Sequence, residues 1–176
     1  MHGRPHYAGF TLIELLIVIA IVTILALAIS PSIVTAIRNS QIRSVAAAWR
    51  DGLTQARIEA IRLNTRVTFN PTPDLAGWEL RTDGGSLANY QSGNTLARRV
   101  VVNLSAGEAV TYDGTGRMAP LNARLIANFS ASSGMCAAAG GDVRCLSVEA
   151  SGGYVRTCDP AASPSSSSGC LLRSTP

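Results

Sequence analysis

The chain has 176 residues, 47% of them hydrophobic, and a formal net charge of +4, enough for one domain with a real core. Its 15 basic residues are all arginine, and its two histidines, His2 and His6, stand at the extreme N-terminus, so the rest of the chain lacks the usual acid–base side chain and the commonest metal ligand. No nucleophile–base pair, paired carboxylates or metal-ligand cluster stands out, which argues against an enzyme, a bound metal or a cofactor.

In chain order, the first element is an apolar run. Residues 10–29 carry Glu14 as their only charge and are about long enough to span a bilayer as a helix. A carboxylate in that setting costs roughly 2.5–3.5 kcal/mol on insertion scales, so it is expected to have a partner and a function. The nine residues before Phe10 contain Arg4 and no acid. An ordinary secretory signal would take Arg4 as its basic region and Ala26-Leu27-Ala28 as its cleavage site, but Glu14 has no place in its apolar segment. A plain single-pass anchor fits the same residues. A buried core helix does not suit so long an unbroken apolar run. Pro31 lacks an N–H and should kink or loosen the helix there.

Beyond Pro31 the apolar residues recur at helical spacing. Ile42, Val45, Ala46, Trp49, Leu53, Ala56, Ala60 and Leu63 share one face, and Arg43, Arg50, Asp51, Arg57, Glu59 and Arg62 lie opposite. The helix is expected to end near residue 64. The pattern then changes to short alternating runs, predicting strands at 66–69, 78–81, 97–104, 109–112, 124–129, 145–149 and 154–158. Asn70-Pro71-Thr72-Pro73-Asp74, Asp83-Gly84-Gly85, Asp113-Gly114-Thr115-Gly116 and Ala139-Gly140-Gly141-Asp142 are the breaks. The glycine-rich stretch at 113–116 reads as a hairpin turn, since Ala119-Pro120 argues against the helix that a phosphate-cradling loop needs. One long helix followed by strands predicts an α+β domain, with an antiparallel sheet packed on the apolar stripe.

The four cysteines, Cys136, Cys145, Cys158 and Cys170, fall in the last quarter. An even count in a domain carried beyond a membrane anchor reads as two disulfides. Three connectivities are open. Turn chemistry within 137–144 and the Pro/Ser/Gly-rich 159–169 favours Cys136 with Cys145 and Cys158 with Cys170. Zinc is disfavoured, because no C-x-x-C pair exists and no histidine is near.

Gly9-Phe10-Thr11-Leu12-Ile13-Glu14, running into LLIVIAIV, resembles the class III leader junction of type IV pilins and type II secretion pseudopilins. The resemblance implies a pilin fold and cleavage by a prepilin peptidase after Gly9, with N-methylation of Phe10. It implies assembly roles for Glu14 and Pro31, which fall on the family's Glu and Pro landmarks. It implies a leader at 1–9, a transmembrane and assembly helix at 10–30, and a periplasmic domain at 31–176, helical to about 64 and β-rich over 65–176. The protein would sit in the inner membrane as a single pass and then in a pilus at the cell surface. Its partners would be other pilins, the prepilin peptidase and the inner-membrane assembly machinery. Leu53-Thr54-Gln55-Ala56-Arg57-Ile58-Glu59-Ala60 is similar to the L-x-x-A-R-x-E-A stretch of the FimT/GspH branch. That implies a minor pilin, with a GspH-like pseudopilin of type II secretion as the alternative. The C-terminal cysteines favour the pilus side. FimT-like proteins often end in a G-R-x-R segment implicated in DNA binding and uptake. Here Gly153-Tyr154-Val155-Arg156 matches its second arginine at Arg156 and has Tyr154 in place of its first. DNA as a partner would then be met by Arg156, with Arg144 and Arg173 auxiliary and Tyr154 as a stacking platform. Residues 144–176 set those three arginines against Glu149 and Asp159, which is far from a basic patch.

Overall fold

The structure is a computed structural model. It describes residues 10–75, 77–82, 84–91, 99–132, 136–137 and 140–171, without side chains at 27–32, 89–91 and 106. The chain divides into two units, Met1–Ala36 and Ile37–Pro176. Helix α1, Leu12–Leu63, starts in the first and ends in the second.

In the first unit the described apolar side chains of residues 10–26 are exposed. Thr23 lies within this run, and its hydroxyl donates to the carbonyls of Ile19 at 2.6 Å and Ala20 at 2.9 Å. Its polar group is thereby satisfied by the helix itself. The helix is assigned through Pro31, and the expected kink falls among residues whose side chains lie outside the described set.

In the second unit α1 buries its stripe. Ile42, Val45, Ala46, Trp49, Leu53, Ala56 and Ala60 are all at most 2% exposed. Leu63, expected in the same stripe, is instead 39% exposed. The helix stops just there. Asn64 takes a left-handed conformation (φ 48°), its N–H bonds the Ile61 carbonyl at 3.3 Å, and Thr65 N–H returns to the Ala60 carbonyl at 3.2 Å. This is a Schellman-type cap, which satisfies the last carbonyls and turns the chain away from the helix axis.

The strands are β1 Val67–Pro71, β2 Gly77–Thr82, β3 Gly85–Gln91, β4 Val100–Ala106, β5 Val110–Tyr112, β6 Met118–Ala119, β7 Arg124–Ala131, β8 Leu146–Ser151 and β9 Tyr154–Cys158. They form two antiparallel sheets among the described residues, in the orders β3-β2-β1-β5-β6 and β4-β7-β8-β9. The sequence pattern predicts one sheet, and it predicts neither β3 nor β6. β3 starts at Gly85 and, among the described residues, is an edge strand paired only with β2. β6 is two residues long. Neither has enough alternating β-branched or aromatic residues to register as a strand without its partner.

Alternation supplies the sheets' inner faces: Val67 and Phe69 on β1, Trp78 and Leu80 on β2, Val148 and Ala150 on β8 are buried. Trp49 of α1 joins both sheets to the helix. Its ring meets Phe69 of β1 at 5.5 Å and Phe129 of β7 at 5.6 Å, both edge-on. Such pairs add about 0.5–1.5 kcal/mol each beyond their buried area. Gly52 lets Trp78 lie against the helix, since a Cβ there would stand 2.4 Å from the indole. The Trp78 indole N–H donates to the Ala48 carbonyl at 3.1 Å. Among the described residues, all the buried hydrophobic ones fall within 37–176.

Candidate functional site

Two regions carry the residues singled out in the sequence. At the first, Gly9 lies outside the described residues, and Phe10 begins them, fully open to its surroundings. Thr11 Oγ1 accepts the Glu14 N–H at 3.3 Å, which caps the start of α1. Thr11-Leu12-Ile13-Glu14 has the spacing of a capping box, a local signal for the helix start that the apolar run overshadows. Glu14 is exposed beside Leu12, Ile13, Leu15 and Leu16, which are exposed too. A carboxylate and bulky apolar groups thus share one uncovered surface. Among the described residues no helix is long and apolar enough to cross a membrane. The described side chains of the apolar run stop at residue 26.

At the second region, Cys136 is joined to Cys145 and Cys158 to Cys170, with Cα separations of 5.4 and 5.0 Å. The second bridge fastens the loop 159–169 beside β9. Arg156 lies under that loop. Its Nε donates to the Glu149 carboxylate at 3.2 Å, and its Nη2 donates to the Gly169 carbonyl. Glu149 has no exposed surface, and it also accepts the Leu171 N–H at 3.2 Å. The side chain of Arg156 is 27% exposed. Its charge is therefore matched internally, in a clasp that ties the C-terminal loop to the sheet. The signal for this is in the sequence: Gly152-Gly153 is a two-residue turn between alternating runs, and such a turn sets Ser151 opposite Tyr154 and Glu149 opposite Arg156.

Arg144 pairs with Asp159 at 2.8 Å, and its backbone N–H donates to Asn39 Oδ1 on α1 at 2.9 Å. Tyr154 is 39% exposed at the start of β9. Arg173 lies outside the described residues. The structure therefore brings Tyr154, Arg156 and Arg144 to one sheet and its flanking loop, but with both arginines already paired. Glu149, Cys158 and Cys170 put three potential metal-ligand atoms within 4.8 Å of one another. They are not an open ligand set, because the two sulfurs are bonded to each other and the carboxylate is held by Arg156.

A third arginine, Arg57, stands out in the sequence only as part of a helix motif. Its Nη1 donates to the Gly153 carbonyl, which ties α1 to the β8–β9 turn. It also neighbours the β5–β6 turn, since a Cβ on Gly116 would stand 3.2 Å from its Nε. In that turn the Asp113 carboxylate accepts the Thr115 hydroxyl at 2.6 Å, Thr115 N–H at 2.9 Å and Arg117 N–H at 3.1 Å. The Thr115 hydroxyl, followed by the Arg117 N–H, holds its carboxyl below the usual carboxylate range. Tyr112 is fully buried, and among the described residues its hydroxyl has no hydrogen-bond partner. Burial pushes its pKa up to about 12, against a smaller opposing pull from Arg57.

Residues 4–30 match the prokaryotic N-terminal methylation motif, and residues 45–152 match the family described as type II transport protein GspH. No curated protein matches the chain. Among solved structures, the fold is similar to that of the type IV minor pilin FimU of Pseudomonas aeruginosa (strain PAO1). The TM-score is 0.55 at 18% identity, over 72% of this chain and 95% of that one. The helix on antiparallel sheets is thus the pilin fold. With its methylation motif, apolar start of α1 and two-sheet domain, the chain belongs to the GspH family of type IV pilin-like proteins.

Proposed function

We propose that the chain is a minor type IV pilin, built into a filament through its N-terminal helix. The observation that carries this reading is a methylation motif over 4–30 placed directly ahead of a GspH domain over 45–152. In this reading a prepilin peptidase cuts after Gly9, and Phe10 becomes the N-methylated first residue. Residues 10–30 hold the subunit in the inner membrane as a single pass, and 31–176 stand in the periplasm until assembly carries them to the pilus. The exposed Leu12, Leu15, Leu16 and Ile19 support it, since apolar surface on this scale needs lipid first and neighbouring helices later. Glu14 then meets the charged α-amino group of Phe10 on an adjacent subunit. Such a pair is worth forming only with good geometry, and removing one partner strands the other charge. Pro31 loosens the helix below this contact. The disulfide-bridged C-terminus supports a pilus over a secretion-system pseudopilin, because an extracellular filament stays in an oxidising setting.

The test is mass spectrometry of sheared filaments from cells carrying the wild-type chain or Glu14→Ala. The wild-type chain is expected in the filament with Phe10 as its methylated N-terminus. Glu14→Ala is expected in the membrane and missing from filaments. A mature terminus other than Phe10, or normal incorporation of Glu14→Ala, refutes the reading. Recovery only with a secretion-system filament selects the pseudopilin.

DNA binding for uptake is the finer reading, and Tyr154, open on a terminal strand, is the observation that supports it. It stands second because Arg156 and Arg144 already hold carboxylate partners. Phosphate contacts there would have to compete with those pairs or come from Arg173. A mobility shift at two salt concentrations decides it, since phosphate binding weakens steeply with salt. No shift at high micromolar protein leaves the structural role alone.

A further inference from the structure

A shallow depression of about 350 Å³ opens between α1, the β5–β6 turn and the β8–β9 turn, lined by Arg57, Thr115, Arg117, Leu121, Gly152 and Gly153. Two arginines line it, and neither is within ion-pair distance of a carboxylate among the described residues. Arg57 is steered into place by the Gly153 carbonyl, so it loses little freedom on binding an anion. Asp113, the carboxylate of the turn, takes the Thr115 hydroxyl, the Thr115 N–H and the Arg117 N–H on Oδ1, and the Arg117 charge acts on it only as the last and smallest of the influences that lower its pKa. The rim is apolar. Leu121 is 72% exposed, and Ile61, one helical turn beyond Arg57, is 49% exposed. The two features are contiguous, because a Cβ on Gly116 would touch both Ile61 Cδ1 at 2.6 Å and Arg57 Nε at 3.2 Å.

We infer that this depression is a docking site for a neighbouring filament subunit that presents a carboxylate beside an apolar side chain. The inference rests on the filament-subunit reading above and names where and by what chemistry one such contact is made. Two guanidinium forks suit a carboxylate, which they can hold with paired hydrogen bonds. Leu121 and Ile61 supply what a nucleic-acid backbone does not use. Exposed aliphatic side chains beside a charged mouth are the composition of an interface core with a polar anchor. Two cations are also too few for the counterion release that drives phosphate-backbone binding. The surface lies at the C-terminal end of α1, so a partner seated there reads the helix end and both sheet turns together.

The experiment places the photoreactive residue p-benzoylphenylalanine at position 121 of the full chain, in its native host, and analyses sheared filaments after irradiation. The expected adduct is with another pilin subunit, attached within a few residues of an aspartate or glutamate. Arg117→Glu is expected to cut its yield about ten-fold, the effect of losing roughly one charged contact, while Arg117→Lys retains most of it. Exchanging the identified acid for arginine is expected to restore the adduct in the Arg117→Glu background. An adduct with nucleic acid, an adduct indifferent to Arg117→Glu, or no adduct from a chain that has entered filaments overturns the inference while leaving the filament reading standing. A chain that never enters filaments overturns both.

Discussion

Replacing Arg156 with glutamine separates a structural arginine from a ligand-binding one. In the structure Glu149 has no exposed surface, and the Arg156 guanidinium meets it at 3.2 Å. Removing one partner of such a pair costs about 3–5 kcal/mol, because the remaining charge stays buried. The Leu171 N–H still bonds Glu149, so the lower end applies, about 3 kcal/mol. The contact with the Gly169 carbonyl is lost as well, but glutamine can re-form part of it. For a domain of this size each kcal/mol moves the melting temperature by about 3 °C, so a fall of roughly 10 °C is expected. The assay is thermal unfolding followed by circular dichroism on residues 37–176, which hold all the buried hydrophobic residues among those described. Glu149→Gln is measured alone and in the Arg156→Gln background. The second change should cost less in that background than in the wild type, since the charge it removes has already lost the Arg156 guanidinium. A melting temperature within about 1 °C of wild type for Arg156→Gln would refute the reasoning and return Arg156 to the solvent, available for phosphate.

Other outcomes follow from the same geometry. Tyr112 should make stability fall as pH rises from its unfolded pKa near 10 towards its folded value of about 12, because the folded state holds the proton more tightly over that window. Tyr112→Phe should abolish this alkaline loss and leave neutral-pH stability equal or higher by about 1 kcal/mol, as its hydroxyl leaves nothing behind. Urea unfolding at pH 7 and pH 11 measures both. Gly52→Ala should lower the urea midpoint despite its better helix propensity, since the new Cβ stands 2.4 Å from the Trp78 indole and overpacking costs about 1–3 kcal/mol. Joining cysteines at sequence separations of 9 and 12, the two disulfides should each contribute about 2.5–3 kcal/mol, read as the loss of melting temperature in reductant. Peptide mapping without reduction should recover each bridge, and a peptide linking Cys145 to Cys158 would contradict the pairing.

Features encoded within a few turns of chain are legible in the sequence. The junction at Gly9 and Phe10 is a contiguous motif. The stripe from Ile42 to Ala60 repeats with the helical period, so its residues announce one face whatever they pack against. The Cys136 and Cys170 bridges close short loops rich in turn residues. The Glu149–Arg156 pair is also within reach, because Gly152-Gly153 sets the hairpin register. Other features depend on contacts between residues far apart in sequence, and no local period encodes those. Whether the strands make one sheet or two is decided by which edges meet, and β3 and β6 exist only through their partners. Trp49 gains its place between Phe69 and Phe129 from both sheets at once. Arg57 reaches the Gly153 carbonyl 96 residues away, and only the folded chain brings Arg117 and Leu121 to the same depression. The sequence by itself determined the helix, its apolar start and the family it belongs to, because those rest on local periodicity and a local motif. The tertiary structure alone decided the contacts between residues far apart in sequence, such as Arg57 with the Gly153 carbonyl and Trp49 with both sheets, because those follow from distance in space.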